Sequence, residues 1–138
     1  MNAAEKLATH VRENSSRLAD ACTACGACYQ ACPTAPRVPA LAGADPASVM
    51  AGIRDILRDG EGTAQAVAFA AACCRSAQCT QACPEHLDAA FLMRLASLRV
   101  RGALGTPRVP TKDDPGWSAR VKAFARLTMT EEEQTKWL

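Results

Sequence analysis

Apolar side chains recur along this chain with the spacing of helices rather than strands. Leu7, Val11 and Leu18 fall on one face of a stretch from Met1 to Asp20 whose other face is charged. Val49, Met50, Ile53, Ile56 and Leu57 repeat the pattern after Asp45-Pro46. That pair reads as a helix start: an aspartate can accept from the free N–H groups, and proline suits the first helical position. Gly60 is expected to end this helix. Thr63 to Ala72 reads as an alanine-rich apolar helix. Leu87 to Arg101 reads as another, with Phe91, Leu92, Leu95 and Leu98 inward and Gly102 closing it. Trp117 to Leu127 is expected to be helical, and Thr130 followed by Glu131 to Glu133 predicts a capping box opening a short last helix. No segment alternates with a period of two, so the pattern predicts an all-α chain.

The stretches between these helices are of two kinds. Pro36, Pro39 and Gly43 mark an irregular loop, and the chain from Gly105 to Gly116 is again broken by proline. The other stretches are two cysteine runs, each preceded by a helix, so the two halves repeat weakly. We therefore expect residues 1–104 to form one helical domain holding both runs. Residues 105–138 then form a proline-containing link and a helical tail. Both tryptophans, Trp117 and Trp137, lie in that tail, where they either dock on a partner protein or pack back on the domain.

Composition sharpens this picture. Apolar residues make up 49% of the 138, but aromatics only 4%, so the core is built from small side chains and is thin. Small chains with thin cores usually need a staple, and eight cysteines offer one. The net charge of +2 is nearly balanced and carries no basic stripe, which argues against nucleic-acid binding. Thr63 to Cys74, the longest apolar stretch, contains Gln65 and falls short of the roughly 20 residues that span a bilayer. Glu5, His10, Arg12 and Glu13 interrupt any signal-peptide pattern. These features lead us to expect a cytoplasmic protein without a membrane span, where cysteines serve as metal ligands or catalysts rather than disulfides.

The first run is Cys22-x2-Cys25-x2-Cys28-x3-Cys32-Pro33, which matches the bacterial iron–sulfur run in full. Three cysteines at this spacing can hold three corners of a cubane when the backbone forms a tight loop, and Gly26 gives that loop room. The fourth, after a change of direction at Pro33, ligates the other cluster in two-cluster proteins. The second run is Cys73-Cys74-x4-Cys79-x3-Cys83-Pro84. Counting back from Cys83, a full motif would place cysteines at 79, 76 and 73, but position 76 is Ser76. Exchange of the fourth ligands gives two sites. Cys22, Cys25, Cys28 and Cys83 form a complete set for a [4Fe–4S] cluster. Cys32, Cys73 and Cys79 supply three thiolates to a second cluster. That cluster is [3Fe–4S] if its fourth place stays empty, or [4Fe–4S] if Cys74 or the Ser76 oxygen fills it. Cys74 also has a plain reading as a small buried apolar residue.

Here the sequence resembles a known group over roughly Ala21 to Leu98. The pattern Cys73-x5-Cys79-x3-Cys83-Pro84 after a complete first run resembles the C-terminal helical domain of the iron–sulfur subunits of succinate dehydrogenase and fumarate reductase. In that family the second motif lacks the same cysteine and holds [3Fe–4S]. The short format resembles the small iron–sulfur subunit of heterodisulfide reductases and related small subunits of flavin-linked oxidoreductases. The resemblance implies an alpha-helical ferredoxin fold with two interleaved clusters. It also implies electron relay within a hetero-oligomer whose flavin- or cluster-bearing partner does the chemistry. Two departures stand out. No plant-type ferredoxin run precedes the first motif, and the second motif is incomplete where the small heterodisulfide reductase subunit has it whole.

Other residues have weaker claims. His86 would tune a cluster if near one, but a solvated helix-start histidine is commoner; His10 is expected in solvent. Arg75 and Gln78 lie inside the second run, where donors stabilise cluster charge, or else they face water. No phosphate loop, carboxylate pair or Ser/His/Asp arrangement appears, so the chain reads as a non-catalytic subunit. The alternative of a structural zinc protein with four-cysteine sites suits the run poorly, because zinc knuckles use cysteine pairs separated by a longer loop. A redox enzyme working through Cys73-Cys74 is disfavoured because adjacent cysteines rarely form an unstrained disulfide.

Overall fold

The computed structural model describes residues 1–109 and 116–138, and among these every regular element is helical. Eight α-helices follow in order: α1 (Ala3–Ala21), α2 (Ala27–Ala31), α3 (Pro46–Leu57), α4 (Ala64–Ala72), α5 (Gln78–Ala82), α6 (Ala89–Val100), α7 (Trp117–Ala125) and α8 (Glu131–Trp137). Two short 3-10 turns, Ala35–Arg37 and Pro39–Leu41, fill the proline-rich loop after the first cysteine run. The chain is all-α, as the helical spacing predicts. Of the proline-broken stretch between Gly105 and Gly116, residues 110–115 lie outside the described residues.

Helices α1, α3, α4 and α6 each begin where a side chain can replace the missing intrahelical partner. Asn2 and Glu5 cap α1 reciprocally, at 2.9 and 2.7 Å. Asp45 caps α3, Thr63 caps α4 and Asp88 caps α6, each accepting from the backbone N–H three residues on. Thr130 and Glu133 form the capping box expected for α8.

Helices α3, α4 and α6 pack on one another, and α1 lies against α3 and α6. Val49, Met50, Ile53, Ile56 and Leu57 from α3 meet Leu92, Met93, Leu95, Ala96 and Val100 from α6 in the buried core. Burial on α6 extends to Arg99, which pairs with Asp59. Phe91 and Leu98, expected inward, are only half-buried, because a helix packed on several sides has no single inner stripe. Leu7 is 59% exposed, against expectation: no residue of α1 before Val11 is buried, so its first turns run past the body they would pack on. The stop of α3 also differs. Helical geometry ends at Leu57, and Asp59, not Gly60, takes the left-handed conformation at φ 64°. Aspartate tolerates that region, and here its carboxylate is held by Arg99.

Gly52 sets the closeness of α3 and α4. A Cβ there would lie 2.6 Å from the Ala66 Cβ and 3.0 Å from the Thr63 hydroxyl. Gly52→Ala must therefore push α4, and the second cysteine run that follows it, away from the core. We expect a loss of about 1–3 kcal/mol, the usual cost of overpacking, visible as a lower urea midpoint; an unchanged midpoint would mean the two helices part freely.

Candidate metal centre

Two loops with the same backbone path carry the cysteines. Cys22 leaves α1 in extended geometry (φ −73°, ψ 128°), and Cys73 leaves α4 likewise (φ −56°, ψ 120°). Two residues on, Ala24 and Arg75 turn left-handed at φ 55° and 65°; two further, Gly26 and Ala77 do so again at 84° and 62°. Each loop then enters a single-turn helix, α2 or α5, which ends on Cys32 (φ −69°, ψ 121°) or Cys83 (φ −69°, ψ 116°). Left-handed residues alternating with ordinary ones aim successive N–H groups inward, the kind of concavity that holds anions and iron–sulfur centres. The Ala24 N–H accordingly reaches the Cys22 Sγ at 3.4 Å, and the Gln78 N–H reaches the Ser76 Oγ at 3.4 Å. Gly26 is also needed against α3, since a Cβ would meet Pro46 at 2.6 Å.

The matched loops put Ser76 where the first loop has Cys25, and Cys74 where it has Thr23. Helices α2 and α5 pack on each other, and Tyr29 of α2 meets Phe69 of α4 edge-on at 4.9 Å. Two hollows, each partly open to solvent, lie between the loops and the core. Cys22, Cys25, Cys28 and Cys83 line one; Cys32, Cys73, Cys74, Ser76 and Cys79 line the other. The last cysteine of each run thus sits with the first cysteines of the other.

Sequence reasoning missed several wall residues. Met50 and Leu92 back the first hollow, and Phe69 and Met93 the second. Met50 had read as core alone; both methionines are buried and also form the inner walls. Thr34 is fully buried with its hydroxyl 3.3 Å from the Cys32 Sγ, and nothing in its sequence position signals this. Arg75 lines the second hollow and Glu85 the first. His86 and His10 are exposed, and neither lines a hollow; nor does Gln78.

The thiols crowd one another. Burial, with the neighbouring Cys79 and Cys22, pushes the Cys28 thiol up to about 12. Burial, with Cys73 and Cys32, pushes Cys79 up to about 11. Cys73 is raised by burial, opposed by the Arg75 N–H and cation. Thiolates packed this way need a strongly cationic core among them, and the apolar walls keep water back. Among the described residues no three His, Cys, Asp or Glu side chains are arranged to hold one metal ion. Four thiols on one hollow and four on the other, backed by apolar walls, are the donor chemistry of iron–sulfur clusters. A pH dependence follows for the metal-free chain. A thiol titrating near 9 when unfolded and near 12 when folded keeps its proton longer in the fold, so the fold loses stability as pH rises between these values. Urea midpoints of the metal-free chain should fall from pH 9 upward; a flat profile would mean the thiols are not confined.

Residues 21–88, the segment spanning both loops, match the 4Fe-4S dicluster domain family. The chain carries an iron–sulfur, ferredoxin-like domain. Its role is electron transfer, and its cofactors are of the [4Fe–4S] kind. No curated protein and no solved structure matches the chain. The matched segment contains all of α2 to α5 and ends at residue 88, the cap of α6. No helix among the described residues is long and apolar enough to cross a membrane.

Proposed function

We propose that this chain is an electron-relay subunit of a cytoplasmic, multi-subunit oxidoreductase, in the manner of the small iron–sulfur subunit of heterodisulfide reductases. Catalysis belongs to a flavin- or cluster-bearing partner. Cys22, Cys25, Cys28 and Cys83 hold a [4Fe–4S] cluster; Cys32, Cys73 and Cys79 hold a second. Bound clusters supply one-electron transfer at potentials set by charge, hydrogen bonds and exposure. The chain's own part is to fix the thiolates, aim backbone N–H groups at them and wall off water with Met50, Leu92, Phe69 and Met93.

The observation that carries this reading is the pair of loops with one backbone path around two adjoining hollows. It also favours [3Fe–4S] at the second site. Ser76 takes the place of Cys25, so the loop offers an alcohol where a fourth thiolate would stand. Cys74 takes the place of Thr23, which is not a ligand position in the first loop.

The test is anoxic capture of the chain from its native cells. A flavin- or cluster-bearing protein should co-elute, and it should reoxidise the reduced chain. A chain that elutes alone, with a reduced spectrum that no co-purified protein bleaches, would contradict the relay role.

A further inference from the structure

The two loops match in backbone but not in charge. Arg75 stands at the position of Ala24, and Glu85 at the position of Thr34. Each lines one hollow only: Arg75 the second, Glu85 the first. The ion pairs among the described residues are Arg58–Asp20 and Arg99–Asp59, so neither charge is neutralised by contact. Arg75 is also held at φ 65°, a conformation that a long side chain rarely adopts and that glycine would fill without strain. Other groups reinforce the asymmetry. Arg101 donates to the Ala71 carbonyl, two residues before Cys73. The Thr34 hydroxyl lies 3.3 Å from the Cys32 Sγ, and once that sulfur is a thiolate only the hydroxyl can donate. No counterpart of this bond exists for Cys83, because Glu85 stands there and faces solvent.

Reduction adds one negative charge to a cluster. A cation beside it, or a hydrogen bond to a ligand sulfur, stabilises the reduced form and raises the potential; an anion lowers it. We propose that Arg75 and Glu85 polarise the pair, Arg75 raising the potential of the second centre and Glu85 lowering that of the first. An electron entering at the Cys22–Cys25–Cys28–Cys83 side then runs downhill to the Cys32–Cys73–Cys79 side. The inference rests on the two-cluster reading above. Both residues act through the clusters' surroundings and are positioning residues, not ligands. Because Arg75 and Glu85 are exposed, solvent ions screen them, and the effect weakens as salt rises.

The experiment is an EPR-monitored redox titration of the intact chain and three variants. Arg75→Gly removes the charge at a site whose backbone already suits glycine, so folding is not at stake; Arg75→Lys keeps the charge; Glu85→Gln neutralises the anion. Arg75→Gly should lower the midpoint of the second centre and leave the first unmoved, and Arg75→Lys should stay near the parent. Glu85→Gln should raise the midpoint of the first centre alone, and both shifts should shrink at high salt. Two centres with unmoved midpoints, or shifts shared equally by both, would overturn the proposal while leaving two clusters standing. A chain with one centre or none would overturn the reading beneath it.

Discussion

Cys83→Ala should abolish the [4Fe–4S] signal of the first cluster, turning that centre into a three-thiolate [3Fe–4S] site, and spare the second, although Cys83 belongs to the second cysteine run. The reason is geometric. Cys83 closes α5 and lines the same hollow as Cys22, Cys25 and Cys28, while Cys32, at the end of α2, lines the hollow of Cys73 and Cys79. Removing Cys83 leaves the first centre three thiols, and removing Cys32 leaves the second only two. Cys32→Ala should therefore be the more damaging change, with near-complete loss of the second centre. The core helices meet through Val49, Ile53, Leu92 and Leu95 rather than through either cysteine, so helical content should survive both changes. Visible absorbance and EPR of anaerobically reconstituted variants read the outcome. If each run served its own cluster, the pattern would be reversed: Cys83→Ala would strike the second centre and Cys32→Ala the first.

Ser76→Cys should convert the second centre. The loop carrying Ser76 repeats the left-handed turns that place Cys25, at Arg75 and Ala77 as at Ala24 and Gly26. A thiol introduced there needs no new backbone path to complete a four-thiolate set. The oxidised protein should then lose the sharp EPR signal of [3Fe–4S] almost wholly, and the reduced protein should gain a second [4Fe–4S] signal. Cys74→Ser is the matching control and should leave both centres as they are. Should Cys74→Ser instead convert or destabilise the second centre, Cys74 is the fourth ligand, and Ser76→Cys would then change little.

Much of the fold lay open in the sequence because its signals are local. Caps at Asp45 and Thr130 and apolar spacing in α3 each depend on residues within one or two turns. The cysteine spacing is equally local, and counting back from Cys83 finds Ser76 without any structure. What escaped depends on partners far along the chain. Leu7 has the right spacing to be buried, but it lies on the turns of α1 that precede the packed part and stays exposed. Asp59, which Arg99 holds from forty residues on, takes the left-handed place expected of Gly60. Met50 read as core because spacing reports a buried face and not what lies behind it. Thr34 and Glu85 hold matching places in the two loops and carry no motif; only the shared backbone path makes their difference visible.

The central claim is that one helical domain holds two unlike iron–sulfur clusters side by side. EPR of the anaerobically prepared chain, oxidised and then reduced, tests it most directly. The oxidised sample should show the sharp signal of [3Fe–4S] close to the free-electron position. The reduced sample should show a [4Fe–4S] signal broadened by its magnetic neighbour. A colourless, zinc-containing protein silent in both states would contradict the account.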